Sequence, residues 1–435
     1  MRIAVIGTGI SGSLVARLLA TRYEVTVFEA SSTPGGHANT VAIEAFGHSF
    51  AVDTGFMVFN RRTYPNFCQL LDILGIDSRP SDMSFSVHCS RTGLEYQGSS
   101  LSGLFAQRRN IIRPSFLRMI ADIVRFNRAG YRAAKQNAIP QEQTVDTFLK
   151  TCRTGKRFFE NYLQPMAAAI WSSDPAAIRD FPADFLIGFF ANHGLLQIRD
   201  RPQWRTVEGG SRNYVNALLK PITDRIRLEC PVEAVFRVGD SVLVRTRQGQ
   251  SEQFDQVVFA THADQTLNLL QPATELEQLI LSAFPYQRNE CVLHTDTRLL
   301  PKRQRAWASW NYHIPLEETR APAVTYDLSR LQGHDSPRPI LLTLNASAEI
   351  DTTKVIHRMT YCHPAFGQQS LSAQRRWSQI SGRNRAHFCG AYWGYGFHED
   401  GVNSALAVTG QFEIGLKACT AACTKEASRT VAINQ

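Results

Sequence analysis

The sequence predicts an α/β chain that opens on a Rossmann-type βαβ unit and carries a second, interleaved α+β domain. Three observations at its start carry this. Residues 2–6 (RIAVI) are a short apolar run of strand character. Gly7-Thr8-Gly9-Ile10-Ser11-Gly12 follows at once, and residues 11–20 then read as a helix. Residues 24–28 (EVTVF) form a second strand that ends on Glu29.

Each part has a physical job, and together they describe a dinucleotide site. Gly7 allows a tight turn, Gly9 lets the backbone approach a pyrophosphate, and Gly12 lets the helix pack closely on the strand. Ser11 opens the helix with Ile10 just before it, and the free N–H groups and positive dipole end there suit phosphates. Glu29 is placed to accept from a ribose diol.

The chain has 435 residues, enough for two interleaved domains. Its 43% hydrophobic and 20% charged content is that of an ordinary globular protein, and no apolar run is long enough to span a membrane. The apolar start is used up by strand and loop, so no signal peptide is expected. The nine cysteines lack metal-type spacing, and Cys419 and Cys423 have no second pair or His partner nearby. Reduced thiols, no metal and a cytoplasmic location are expected. The net charge of +9 permits an anionic partner without requiring one.

Beyond Glu29-Ala30 lies Gly35-Gly36-His37. An acid, a short spacer and a glycine pair resemble the FAD-binding segment of the flavin amine oxidase and phytoene desaturase superfamily, with His37 where Arg is usual. Three further stretches resemble it. Val52-Asp53-Thr54-Gly55-Phe56 sits where the superfamily brings a loop against the flavin. Cys230-Pro231-Val232 begins a strand pair ending in Phe259-Ala260-Thr261, and the residue matching Val232 would meet the adenine through its backbone. Gly390 and Asp400-Gly401-Val402 resemble the strand end and helix start that hold the ribityl chain and the pyrimidine edge of the ring. The resemblance implies FAD. It also implies an FAD domain from 1–80, 205–264 and 358–435, and a substrate domain from 81–204 and 265–357.

Phrases such as DTGFMVFNRRTYPNF (53–67) and GYGFHEDGVNSA (394–405) look like a bacterial subfamily of FAD oxidoreductases. That module is similar to the N-terminal half of plant cyclopropane fatty acid synthases. Its bacterial members associate with a cyclopropane-type lipid methyltransferase. The resemblance implies a lipid or other apolar substrate and such a partner.

Amine oxidases of the superfamily place a Lys near flavin N5, and the matching strand position here falls near Glu290. His294, four residues on, shares its strand face. One of the two rings that frame the flavin in amine oxidases falls at His398. Glu290, His294 and His398 are therefore the catalytic candidates, and Glu290 and His398 count against simple amine oxidation. Trp307, Trp310 and Tyr312 form a strand of rings that fits either core or the wall of an apolar pocket.

Residues 107–135 carry eight Arg or Lys against one acid, Asp122. Residues 114–135 read as one helix, with Phe116, Ile120, Ile123, Val124 and Tyr131 on one side and Arg118, Arg125, Arg128 and Arg132 on the other. That face is either solvated or a peripheral membrane contact. No nucleic-acid motif appears. The expected function is an FAD-dependent oxidoreductase that takes a hydride from an apolar substrate at flavin N5. An amine oxidase, or a flavin-bearing accessory protein without turnover, are the alternatives.

Overall fold

The computed structural model describes residues 1–171, 175–197, 200–317 and 322–419. Cys423 and the last part of the expected 358–435 segment lie outside the described residues.

Five parallel strands form the first sheet, in the order Ile226–Arg227, Glu24–Phe28, Arg2–Ile6, Gln256–Phe259, Ala386–Phe388. The run RIAVI is apolar without alternation because it is covered on both faces. Ile3 and Val5 join a core with Leu14, Leu18 and Val215. Ala4 and Ile6 join another with Val242, Val257 and Phe284. The helix Ile10–Leu19 lies on the first face, one residue off the expected bounds. An antiparallel three-stranded sheet, Val232–Val238, Ser241–Thr246 and Ser251–Phe254, contributes to the second core.

A seven-stranded mixed sheet forms the second body. Its order is Val355–Pro364, Tyr286–His294, Leu341–Leu344, Ala323–Asp327, Trp310–Ile314, Phe85–Cys89, Leu94–Gln97. Helices between residues 114 and 192 share its core.

The observed bodies differ from the expected segments at two joins. The helices Ala263–Leu269 and Glu275–Leu281 belong to the parallel-sheet side, since Ala263, Ile280 and Leu281 pack with Ala4 and Phe259. The strand Val355–Pro364 runs along the seven-stranded sheet for its whole length, past residue 358.

Pro114–Lys135 is one helix, opened by Pro114 in its first turn. It buries Phe116, Met119, Phe126 and Gly130 in the second body, while Tyr131, expected on the apolar side, is exposed. Asp122 is buried too, bonded to Arg125 at 2.8 Å and to the Gly155 N–H at 2.9 Å. Among the described residues, no helix is long and apolar enough to cross a membrane. The eight described cysteines are all free.

Candidate active site

A cavity of about 690 Å³ runs between the two bodies, and its wall changes character along its length. One end is glycine backbone and Glu29. The other is aromatic and aliphatic.

The glycine end follows from local constraints. Gly7 has φ of +98°, and a Cβ there would stand 2.9 Å from the Ala260 carbonyl oxygen. A Cβ on Gly12 would come within 2.0 Å of the Gly7 carbonyl oxygen, so only glycine lets this helix sit on this turn. A Cβ on Gly9 would meet no protein atom within 4 Å; it would stand in the cavity. The helix Ile10–Leu19 has no side chain capping its first turn, so its leading N–H groups remain available. Glu29 Oε2 accepts from the Thr8 N–H at 2.9 Å and from the Thr8 hydroxyl at 2.5 Å, and Oε1 accepts from the Ser31 N–H at 2.9 Å. These bonds fix a carboxylate at the cavity wall.

Gly7, Gly9, Ile10, Ser11, Glu29, Ala30, Gly35, Gly36, His37, Thr54, Gly55, Phe56, Val232, Thr261 and Gly390 all line this cavity. Gly55 lies directly on the His37 backbone: a Cβ there would approach the His37 carbonyl oxygen to 2.2 Å. Gly12, Asp400, Gly401 and Val402 stand behind the wall. Asp400 turns back to accept from the Phe397 N–H at 2.9 Å, and burial pushes its carboxyl up to about 7. The Gly401 carbonyl accepts from Ser11 Oγ at 2.9 Å, and Val402 is in the core. The start of the helix His398–Gly410 thus clamps the helix Ile10–Leu19.

The catalytic candidates separate. Only His398 reaches the cavity. Its ring stacks on Phe56 with centroids 3.5 Å apart, and burial holds its proton affinity well below the usual value. Glu290 faces outward, ion-paired with Arg358 at 3.4 Å and half exposed. His294 is buried against the Thr343 hydroxyl at 2.7 Å and accepts the Asp296 N–H at 3.0 Å. Cys291, one residue after Glu290, is the residue of this strand's middle that meets the cavity. A strand alternates faces, so a slip of one residue exchanges an inner position for an outer one.

The sequence reading missed a ring cluster. His262, His363, Tyr361 and Tyr286 line the cavity beside His37. The His37 ring lies 5.0 Å from Tyr361, 5.5 Å from His363 and 5.9 Å from His262. His37 donates to the Cys362 carbonyl, while its Nε2 is buried without a partner. Burial, and then the neighbouring imidazole, lower His37 to about 4 and His363 to about 3; burial and His363 lower His262 to about 4. Tyr361 and His363 alternate on one edge strand, the one pattern that could have revealed them.

The far end is lined by Met57, Ile170, Trp171, Trp310, Leu342, Leu344, Phe366 and Tyr395. Of the three expected rings only Trp310 reaches it; Trp307 donates to the Pro301 carbonyl at 2.7 Å and Tyr312 is core. Among the described lining residues, Glu29 is the only acid, and it lies at the glycine end. No group of His, Cys, Asp and Glu among the described residues could hold a metal ion.

A glycine cradle with open space at Gly9, an uncapped helix start and an orphaned ring nitrogen at His37 suit an anionic dinucleotide. The model of the flavin containing amine oxidoreductase family matches residues 10–312, well over half of the chain. The chain belongs to that family. Membership makes it an FAD-dependent oxidoreductase. Solved structures agree on the fold. A CLA-producing fatty acid isomerase from P. acnes is 14% identical, with 94% of this chain and 98% of that chain covered at a TM-score of 0.67. Cyclohexylamine oxidase from Brevibacterium oxydans IH-35A is 16% identical, with 95% and 99% covered at 0.64. A putrescine oxidase bound to putrescine is 15% identical, with 95% and 99% covered at 0.64.

Proposed function

We propose that this family member oxidises or desaturates an uncharged, apolar substrate, of lipid type. One observation carries the reading: the apolar end of the cavity has no carboxylate among its described lining residues. A charged ammonium ion brought there would lose its hydration without a counter-charge. A hydrocarbon chain loses nothing and is favoured by burial. The resemblance to the N-terminal half of plant cyclopropane fatty acid synthases points the same way. On this reading the partner is a cyclopropane-type lipid methyltransferase, and the protein works in the cytoplasm or at the inner membrane surface.

FAD, when bound, would supply the two-electron redox chemistry. The chain's residues bind, orient and exclude water. Glu29 would accept from the ribose. The N–H groups opening the helix Ile10–Leu19, with Gly9, Gly35 and Gly36, would receive the diphosphate, and His37 would donate to it. Thr54, Gly55 and Phe56 would face the ring, and Val232 and Thr261 would bound the adenine side. Trp310, Leu342, Leu344 and Phe366 keep the reacting end dry. His398, neutral and stacked, orients rather than exchanges protons.

Anaerobic flavin reduction tests this. Membrane lipid extracts, unmodified and cyclopropanated, should bleach the flavin, one more than the other. Bleaching by small primary amines and by neither extract would make the protein an amine oxidase. No bleaching by either, with stable co-purification of a lipid methyltransferase, would make it an accessory flavoprotein.

A further inference from the structure

Ten large hydrophobic side chains are exposed among the described residues, and four of them fall within residues 101–117. They are Leu101 (77% exposed), Ile111 (48%), Ile112 (81%) and Leu117 (42%). The segment is held as one unit by short turns. The Ala106 N–H donates to the Gly103 carbonyl at 3.1 Å and the Asn110 N–H to the Gln107 carbonyl at 2.9 Å. Phe105 packs on Phe116 with ring centroids 6.0 Å apart. Ile111 and Ile112 therefore project from a structured tip, and scattered exposure does not explain adjacent isoleucines.

The surroundings are cationic. Arg108, Arg109 and Arg118 are exposed and carry no ion pair among the described residues. From residue 98 to residue 135 the one acid is Asp122, which is buried and bonded internally. The helix Pro114–Lys135 cannot lie flat in a bilayer, because its apolar face is already committed to the core. What remains outside is its arginine face and the apolar tip in front of it.

We propose that residues 101–118 are a docking surface for an anionic lipid bilayer. Leu101, Ile111, Ile112 and Leu117 enter the interface, and Arg108, Arg109 and Arg118 extend to lipid phosphates. This reading rests on the surface alone and stands apart from the identity of the substrate.

The test is co-sedimentation of the full-length holoprotein with vesicles of phosphatidylglycerol and phosphatidylcholine, and of phosphatidylcholine alone. Binding should require phosphatidylglycerol and weaken as salt rises. Each of Arg108→Gln, Arg109→Gln and Arg118→Gln should weaken partitioning about fivefold, from the usual contribution of one cation near an anionic surface. Ile111→Ser with Ile112→Ser should weaken it further with charge unchanged. Flavin content equal to the parent's shows that each variant is folded. Three results would overturn the proposal: no binding to phosphatidylglycerol vesicles at low salt, equal binding to phosphatidylcholine alone, or parent-like binding by the isoleucine variant. Tight binding of duplex oligonucleotides through the same arginines, indifferent to the isoleucines, would replace it with a nucleic-acid surface.

Discussion

The Tyr214 hydroxyl lies 2.8 Å from His398 Nε2, in a buried seam between the two helices Arg212–Leu219 and His398–Gly410. With Phe56 stacked on its face, the imidazole is held on two sides. Tyr214→Phe removes one partner and leaves a buried ring nitrogen unsatisfied, which costs roughly 1–3 kcal/mol. Thermal or denaturant unfolding of the apoprotein checks this. His398→Gln should retain flavin and leave the pH profile of flavin reduction unshifted, because the imidazole is already neutral across the working range. A profile that moves would return His398 to proton transfer.

Gly9 and Gly12 should respond oppositely to one methyl group. Gly12→Ala drives a Cβ onto the Gly7 carbonyl and should abolish folding of the βαβ unit. Gly9→Ala meets no protein atom, so the apoprotein should unfold as the parent does. Its methyl instead occupies cavity space, and FAD affinity should fall at least tenfold. Flavin content and apoprotein melting, measured together, separate the two.

Acid should loosen the apoprotein. His37, His262, His363 and His398 have folded values below the unfolded value of 6.5. Below pH 6.5 the unfolded chain therefore binds protons that the folded chain refuses. The contribution of these four histidines is full above 6.5 and is lost as pH falls toward about 4, at about 1.4 kcal/mol per pH unit for each proton withheld, while Asp400, raised to about 7, works in the opposite direction and offsets one of them. FAD reverses the sign at His37. Its orphaned Nε2 meets a diphosphate only by taking up a proton, so FAD binding should consume a proton near neutral pH. Calorimetry in two buffers of different ionisation enthalpy reads this directly. His37→Arg, which carries its charge already, should bind FAD without the uptake.

On the strand Tyr286–His294, neighbouring positions should differ sharply. Glu290→Gln breaks a solvent-exposed ion pair, which contributes less than about 1 kcal/mol, and should leave flavin reduction within twofold. Cys291→Phe fills the cavity from the adjacent position and should suppress reduction by an apolar substrate while flavin is retained. Stopped-flow reduction of both variants, scored against flavin content, decides.

The glycine end was legible in the sequence because its demands are local. Gly12 and Glu29 are set by contacts within one βαβ unit and Gly7 by its own positive φ, and spacing alone expresses them. The apolar end was not. Trp171, Trp310, Leu342 and Phe366 come from separate elements, and nothing in their neighbourhoods marks them as facing one space. Glu290 shows a second limit: a strand's chemistry is read correctly only if its register is known to the residue. Asp400 shows a third. An acid opening a helix caps its own backbone and also resembles a ligand contact, and only the three-dimensional path tells the two apart.

The bond from Ser11 Oγ to the Gly401 carbonyl joins residues 390 apart in sequence. The strand Arg2–Ile6 likewise waits for Gln256–Phe259, which in turn waits for Ala386–Phe388. A ribosome making this chain therefore produces the glycine loop well before the clamp that supports it. The clamp on the helix Ile10–Leu19 exists only once the chain has been made as far as Gly401.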